Sequence, residues 1–207
     1  MLTYFYNDLL FEVYHFISQS NILILNKSSK RLQIIDKRID KYINQNNDDN
    51  MNNDNMNNNI DKILYVSCRD NNIYILLRLI KRYASNLNYD YGLDGACFGG
   101  NLKLAKLMIK LGANNWDCCF TSACVNGNIK LVMLMIKNGA NNFNHGLKIA
   151  CGYNNIELVK IMIKYGANNW DSGLSGACRY NNEDLQSLMI EKGATWCSYC
   201  ENSAFCH

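Results

Sequence analysis

Residues 123–141 read ACVNGNIKLVMLMIKNGAN and residues 150–168 read ACGYNNIELVKIMIKYGAN. The two stretches share Ala-Cys at their start, an asparagine four residues after the cysteine, and Gly-Ala near their end. Self-similarity at a fixed spacing is the mark of a repeat architecture, so the rest of the chain is read from these markers outward. Gly-Ala recurs at Gly112-Ala113, Gly139-Ala140, Gly166-Ala167 and Gly193-Ala194, and Ala-Cys at Ala96-Cys97, Ala123-Cys124, Ala150-Cys151 and Ala177-Cys178. Both series advance by 27 residues, so the whole unit repeats and not one turn of it.

Ahead of each Gly-Ala pair the apolar residues have helical period: Leu104, Leu107, Met108 and Leu111, then Leu131, Leu134 and Met135, then Leu158, Ile161 and Met162. Asn101, Asn128 and Asn155 stand where a side-chain oxygen caps the free N–H groups of a helix start. Gly112, Gly139 and Gly166 supply the left-handed residue that ends it. The Ala-Cys stretch is rich in small side chains, so a second helix can lie close to the first. A single pair cannot bury its apolar stripe, so neighbouring pairs are expected to stack on one continuous core.

A weaker copy precedes these at an offset of 29, with Ser67-Cys68, Asn72 and Ile80-Lys81 in register but Tyr83 in place of glycine and Arg78 in place of leucine. At the other end Gln186 and Ser187 make the last second helix more polar, and Ser203-Ala204 starts a partial copy. Both ends read as caps for the array.

These phrases resemble the second half of the ankyrin repeat. The resemblance spans about residues 63 to 207, with about six residues fewer in the finger than the 33-residue ankyrin unit. The segments NNWDCCFTSAC and NNWDSGLSGAC replace the family's Thr-Pro-Leu-His turn. Short-finger, asparagine-rich ankyrin proteins of giant DNA viruses of amoebae are similar. The resemblance implies an all-α, ankyrin-type solenoid of stacked helix-turn-helix repeats, with units about 61–89, 90–116, 117–143, 144–170 and 171–197 and a partial cap at 198–207. It also implies a protein partner and a location inside a host cell, in the cytoplasm.

The N-terminal third is of another kind. Residues 44–59 hold ten asparagines in sixteen positions and no aliphatic residue, so segment 44–60 is expected to be a disordered linker. Before it, Leu9, Leu10, Val13, Phe16 and Ile17 form an amphipathic stripe, followed by Ile22, Leu23, Leu25 and Lys30-Arg31-Leu32. Segment 1–43 is thus expected to be a small helical segment. It resembles a degenerate F-box, with Phe5-Tyr6 for the family's Leu-Pro start and Leu32 for its closing tryptophan. That resemblance implies contact with the adaptor of a cullin-type ubiquitin ligase through the stripe residues, hence a substrate receptor; the alternative is a helical cap for the array.

Composition narrows the chemistry. The net charge of +3 is too small to imply nucleic acid. Lys27, Lys30, Arg31, Lys37, Arg38 and Lys41 are interleaved with Asp36 and Asp40, as on a solvated helix face. No apolar run is long enough for a membrane span, and Asn7, Asp8 and Glu12 interrupt any signal peptide. Five of the ten cysteines occupy one repeating position, which reads as packing by reduced thiols and not as a disulfide framework.

Cys197-x-x-Cys200 with Cys206-His207 offers four zinc donors, but the second pair is adjacent and strained for one ion. A thiol nucleophile needs a positioned base, and the three histidines, His15, His145 and His207, sit in no motif. No cofactor, metal or catalytic centre is therefore expected, and the alternative function is a metal-binding or thiol-dependent protein built on Cys197, Cys200, Cys206 and His207. Binding is expected where the frame varies. Trp116, Phe143 and Trp170 recur three residues after each repeat's alanine, as anchors or as packing between fingers, while Phe120, Tyr153, Arg179 and Tyr180 stand where the repeats differ. The scaffold is expected to be a monomer.

Overall fold

The computed structural model describes residues 53–195 and Lys37. Ten α-helices and one short 3-10 turn make up the described residues, with no strand among them. They fall into two compact units, one ending at Asn114 and one beginning at Asn115. The first unit holds α1 (Asn53–Arg69), α2 (Ile73–Tyr83), the 3-10 turn Ala84–Asn86, α3 (Tyr89–Phe98) and α4 (Leu102–Lys110). The second holds α5 (Trp116–Asn126), α6 (Ile129–Lys137), α7 (Phe143–Gly152), α8 (Ile156–Lys164), α9 (Trp170–Arg179) and α10 (Glu183–Glu191). Consecutive helices form pairs, and within each unit the first helix of one pair also packs on the first helix of the next.

The helix boundaries follow from asparagine and glycine. Asn101 Oδ1 accepts from Leu104 N at 3.0 Å, Asn128 from Leu131 N at 3.3 Å and Asn155 from Leu158 N at 3.0 Å, so each expected cap is formed. Two first helices are capped in the same way, Asn115 accepting from Cys118 N and Asn169 from Ser172 N, while Asn88 accepts from Asp90 N and Asn142 makes no such bond. Each second helix from α4 to α10 closes at a glycine of positive φ, +109° at Gly112, +114° at Gly139, +99° at Gly166 and +108° at Gly193. At the first of these, Ala113 N donates to Met108 O and Gly112 N to Ile109 O, which satisfies carbonyls that a helix end leaves open.

The stripes expected from periodicity are inside. Leu104, Met108, Leu131, Met135, Leu158 and Met162 are all fully buried, whereas Leu111, Leu134 and Ile161 at the stripe edges are half-buried. The cysteine row is interior at Cys68, Cys97, Cys124 and Cys151, and half-buried at Cys178, where α9 is the last first helix of the described residues. Of the two residues that make the last second helix more polar, Gln186 is buried and Ser187 beside it is exposed.

Small residues set how closely first helices approach. A Cβ at Gly95 or Gly99 would collide with the backbone of Tyr65 or Arg69, and one at Gly176 with the backbone of Lys148, so α1 meets α3 and α7 meets α9 nearly backbone to backbone. In α7 the residue one repeat before Gly176 is Ile149, and α7 stands less close to α5 than to α9. A branched side chain in that slot widens a spacing that glycine lets close.

Two expected boundaries shift. Helix α1 begins at Asn53, inside the asparagine-rich stretch 44–60; Ile60, Leu64 and Cys68 anchor it in the core, and a helix once nucleated extends at one hydrogen bond per residue fixed. The described part of 61–207, expected as a single array, is grouped as two units that part in the connection ahead of Trp116. Residues 44–52 of the linker, and all of segment 1–43 except Lys37, lie outside the described residues. No helix among the described residues is long and apolar enough to cross a membrane.

Candidate protein-contact surface

The turn between first and second helix is built alike in every pair and then decorated differently. Its left-handed residue is Asn71, Gly100, Gly127, Asn154 or Asn181, with φ of +54°, +75°, +76°, +54° and +58°. Asparagine tolerates this region better than other residues with a Cβ. The residue just before it is Gly99, Asn126, Tyr153 or Tyr180 in the last four pairs. Two tyrosines are thereby held side by side in the second unit.

Their rings stack at 5.7 Å between centroids and 29° between planes, and each residue keeps about half its surface, 53% at Tyr153 and 51% at Tyr180. Gly152 makes the stack possible, because a Cβ there would press on the Tyr180 ring at 3.1 Å. Asn182 locks the same corner: its Nδ2 donates to Cys151 O at 2.7 Å and to Gly152 O at 2.9 Å. Arg179 Cζ lies 5.6 Å from the centre of the Tyr180 ring, in cation–π range. Three sequence candidates, Tyr153, Arg179 and Tyr180, are thus brought together.

The other four candidates are placed differently. Phe120 is fully buried and so forms no part of a contact surface. It occupies the space left by Gly146, where a Cβ would meet Phe120 Cζ at 2.9 Å, and it meets Phe143 edge to face at 6.1 Å. Trp116, Phe143 and Trp170 are not finger tips but the first residues of α5, α7 and α9, each half-buried. They are occupied in packing: Phe143 also lies 5.7 Å from the Tyr165 ring, and Trp116 and Trp170 lean on the closing glycines Gly139 and Gly193.

Periodicity of apolar residues did not single out a polar ladder next to these aromatics. Asp90 Oδ1 accepts from Asn114 N, Asp117 from Asn141 N and Asn142 N, Asn144 from Asn168 N and Asn169 N, and Asp171 from Thr195 N, at 2.6 to 3.3 Å. Each side chain pins the start of the following turn. The signal was an Asp or Asn directly after the repeating aromatic. At the head of the ladder Asp61 Oδ1 accepts from Asn88 N at 2.9 Å; burial raises its carboxyl above the ordinary value, against the lowering by that bond. An open cleft of ≈ 490 Å³ lies along the ladder, lined by Asn144, Asn168, Asn169, Trp170, Asp171 and Gly193.

No family model matches the chain, and no curated protein matches it. What the surface can do is therefore argued from its own chemistry. Burial pushes the thiols of Cys68, Cys124 and Cys151 up to about 12, so they are protonated at neutral pH and poor nucleophiles. No group of three or more metal-type side chains occurs among the described residues. The ligase-adaptor candidates Leu9, Leu10, Val13, Phe16 and Ile17, and the candidate zinc donors Cys197, Cys200, Cys206 and His207, lie outside them.

Proposed function

We propose that this chain is a non-catalytic protein-interaction scaffold of the ankyrin-repeat type, whose partner contacts the Tyr153–Tyr180 face of the second unit. The repeated cap, turn and closing glycine support the repeat reading, since a frame built from identical local rules leaves only a few positions free to vary. One observation carries the placement: two tyrosines, a residue type enriched in binding hot spots, are half-exposed at the position where other pairs carry Gly99 or Asn126. An exposed stack of this kind gains from covering.

The test is site-directed photo-crosslinking in cells that express the full chain. A photoreactive phenylalanine analogue at position 153 or 180 forms a discrete adduct with another protein, and the same analogue at Lys106 does not. Equal labelling at all three positions, or none at any, overturns the placement. The resemblance of segment 1–43 to an F-box adds a second, separable contact to the proposal, with a ubiquitin-ligase adaptor. Deleting 1–43 abolishes adaptor co-purification and leaves the adducts at 153 intact; adaptor retention without that segment sinks this half.

A further inference from the structure

We infer that the Tyr153–Tyr180 surface takes a basic peptide, with an arginine or lysine side chain laid on an exposed tyrosine face and neutralised by Glu157, Glu183 and Asp184. The inference rests on the reading of this surface as the contact face and goes on to its partner's chemistry. Aromatic faces attract cations through the ring quadrupole, most strongly where water is partly excluded. The chain shows this at the same site, where Arg179 lies over the Tyr180 ring.

The surrounding charge points the same way. Glu157 lies in the first turn of α8 and Glu183 and Asp184 in the first turn of α10, the two helices that leave the tyrosine-bearing turns. All three are exposed, and none makes an ion pair among the described residues. Acids at a helix start also favour the helix dipole, which would explain them anywhere. Yet the second helices α2, α4 and α6 have none in their first turns. Along the repeat, Lys103 and Lys130 give way to Glu157 and Asp184 in the same two pairs where Gly99 and Asn126 give way to Tyr153 and Tyr180. Ring and carboxylate arrive together, as a cation-binding surface requires and a dipole does not. The chain's net charge of +3 repels a basic peptide in general, so attraction has to be local.

The experiment is fluorescence anisotropy of the full chain, at physiological ionic strength, with labelled peptides that alternate glycine with arginine, lysine, glutamate or serine. The arginine and lysine peptides bind saturably, and the glutamate and serine peptides do not. Tyr153→Ala with Tyr180→Ala weakens binding about tenfold or more, as does the triple change Glu157→Gln, Glu183→Gln, Asp184→Asn. Tyr153→Phe with Tyr180→Phe keeps the stack and the binding, which separates loss of contact from loss of fold. Arg179→Ala removes the resident cation and strengthens binding of the basic peptides, whereas an acidic occupant would lose affinity. Binding of the glutamate peptide, weakening by Arg179→Ala, or no saturable binding of either basic peptide overturns the inference. Adducts at position 153 that persist in those cases leave the scaffold reading standing.

Discussion

At position 120 a phenylalanine fills space that the next helix pair leaves open with Gly146, so a residue that reads as a variable surface position is part of the core. Nothing local reveals this, because its partner lies 26 residues further on and is recognised only by lacking a side chain. The cysteine row, by contrast, was legible, since a small apolar residue at constant spacing has few uses besides packing. Phe120→Ala is expected to lower unfolding free energy by about 3–5 kcal/mol in urea titration, while Tyr153→Ala, half-exposed, costs about 1 kcal/mol or less. The glycines differ among themselves in the same measurement. Gly176→Ala drives a Cβ into the Lys148 backbone, which cannot yield, and costs about 2–3 kcal/mol. Gly173→Ala meets the Sδ of Met189, the far end of a flexible side chain, and is tolerated better; Cys119 already occupies the equivalent place in α5. Thiol alkylation read by mass spectrometry provides a further check. Exposed Cys118 reacts in the native protein, and Cys68, Cys124 and Cys151 react only after unfolding.

At the scale of the element, helix ends were legible because caps and closing glycines act within four or five residues. The Asp and Asn ladder was not, because each rung bonds 24 or 25 residues ahead, beyond any local pattern. Asp117→Ala leaves Asn141 N and Asn142 N without their acceptor and is expected to cost about 0.5–1.5 kcal/mol per bond at this exposed site. Asp117→Asn is expected to be nearly neutral, since Asn144 does the same work in α7 with an amide. Asp61 differs because it is buried. Its folded pKa is raised, so the native state binds its proton more tightly than the unfolded chain; that stabilisation is complete below the ordinary carboxyl value and is lost as pH rises through the folded one. Asp61→Asn keeps the bond from Asn88 N and removes the buried charge. Its melting temperature should exceed that of the parent at pH 7, and the difference should close in acid, below the ordinary carboxyl range.

At the scale of the molecule, the order of helices followed from the 27-residue spacing, while the parting of the described residues into two units did not, since the spacing runs unbroken across Asn114. Repeat frames are stabilised by nearest neighbours, so removal of a terminal pair is felt mainly by the pair it touched. A chain ending at residue 169 lacks α9 and α10. It loses the close approach of Gly176 to the Lys148 backbone, the Tyr180 ring over Gly152, and the Asn182 amide that donates to Cys151 O and Gly152 O. All of these fall on α7, and a bare backbone face gains no new partner for its carbonyls. Native-state hydrogen exchange of the shortened chain should therefore show protection lost first along α7 and α8 and least along α5 and α6, with a urea midpoint below that of the full chain. Equal loss along all four helices would mean that the second unit unfolds as one body and that coupling between its pairs is not local. Protection of α7 at its full-chain level would mean that the glycine-lined contact with α9 contributes little, and that α7 is held by α5 and α8 alone.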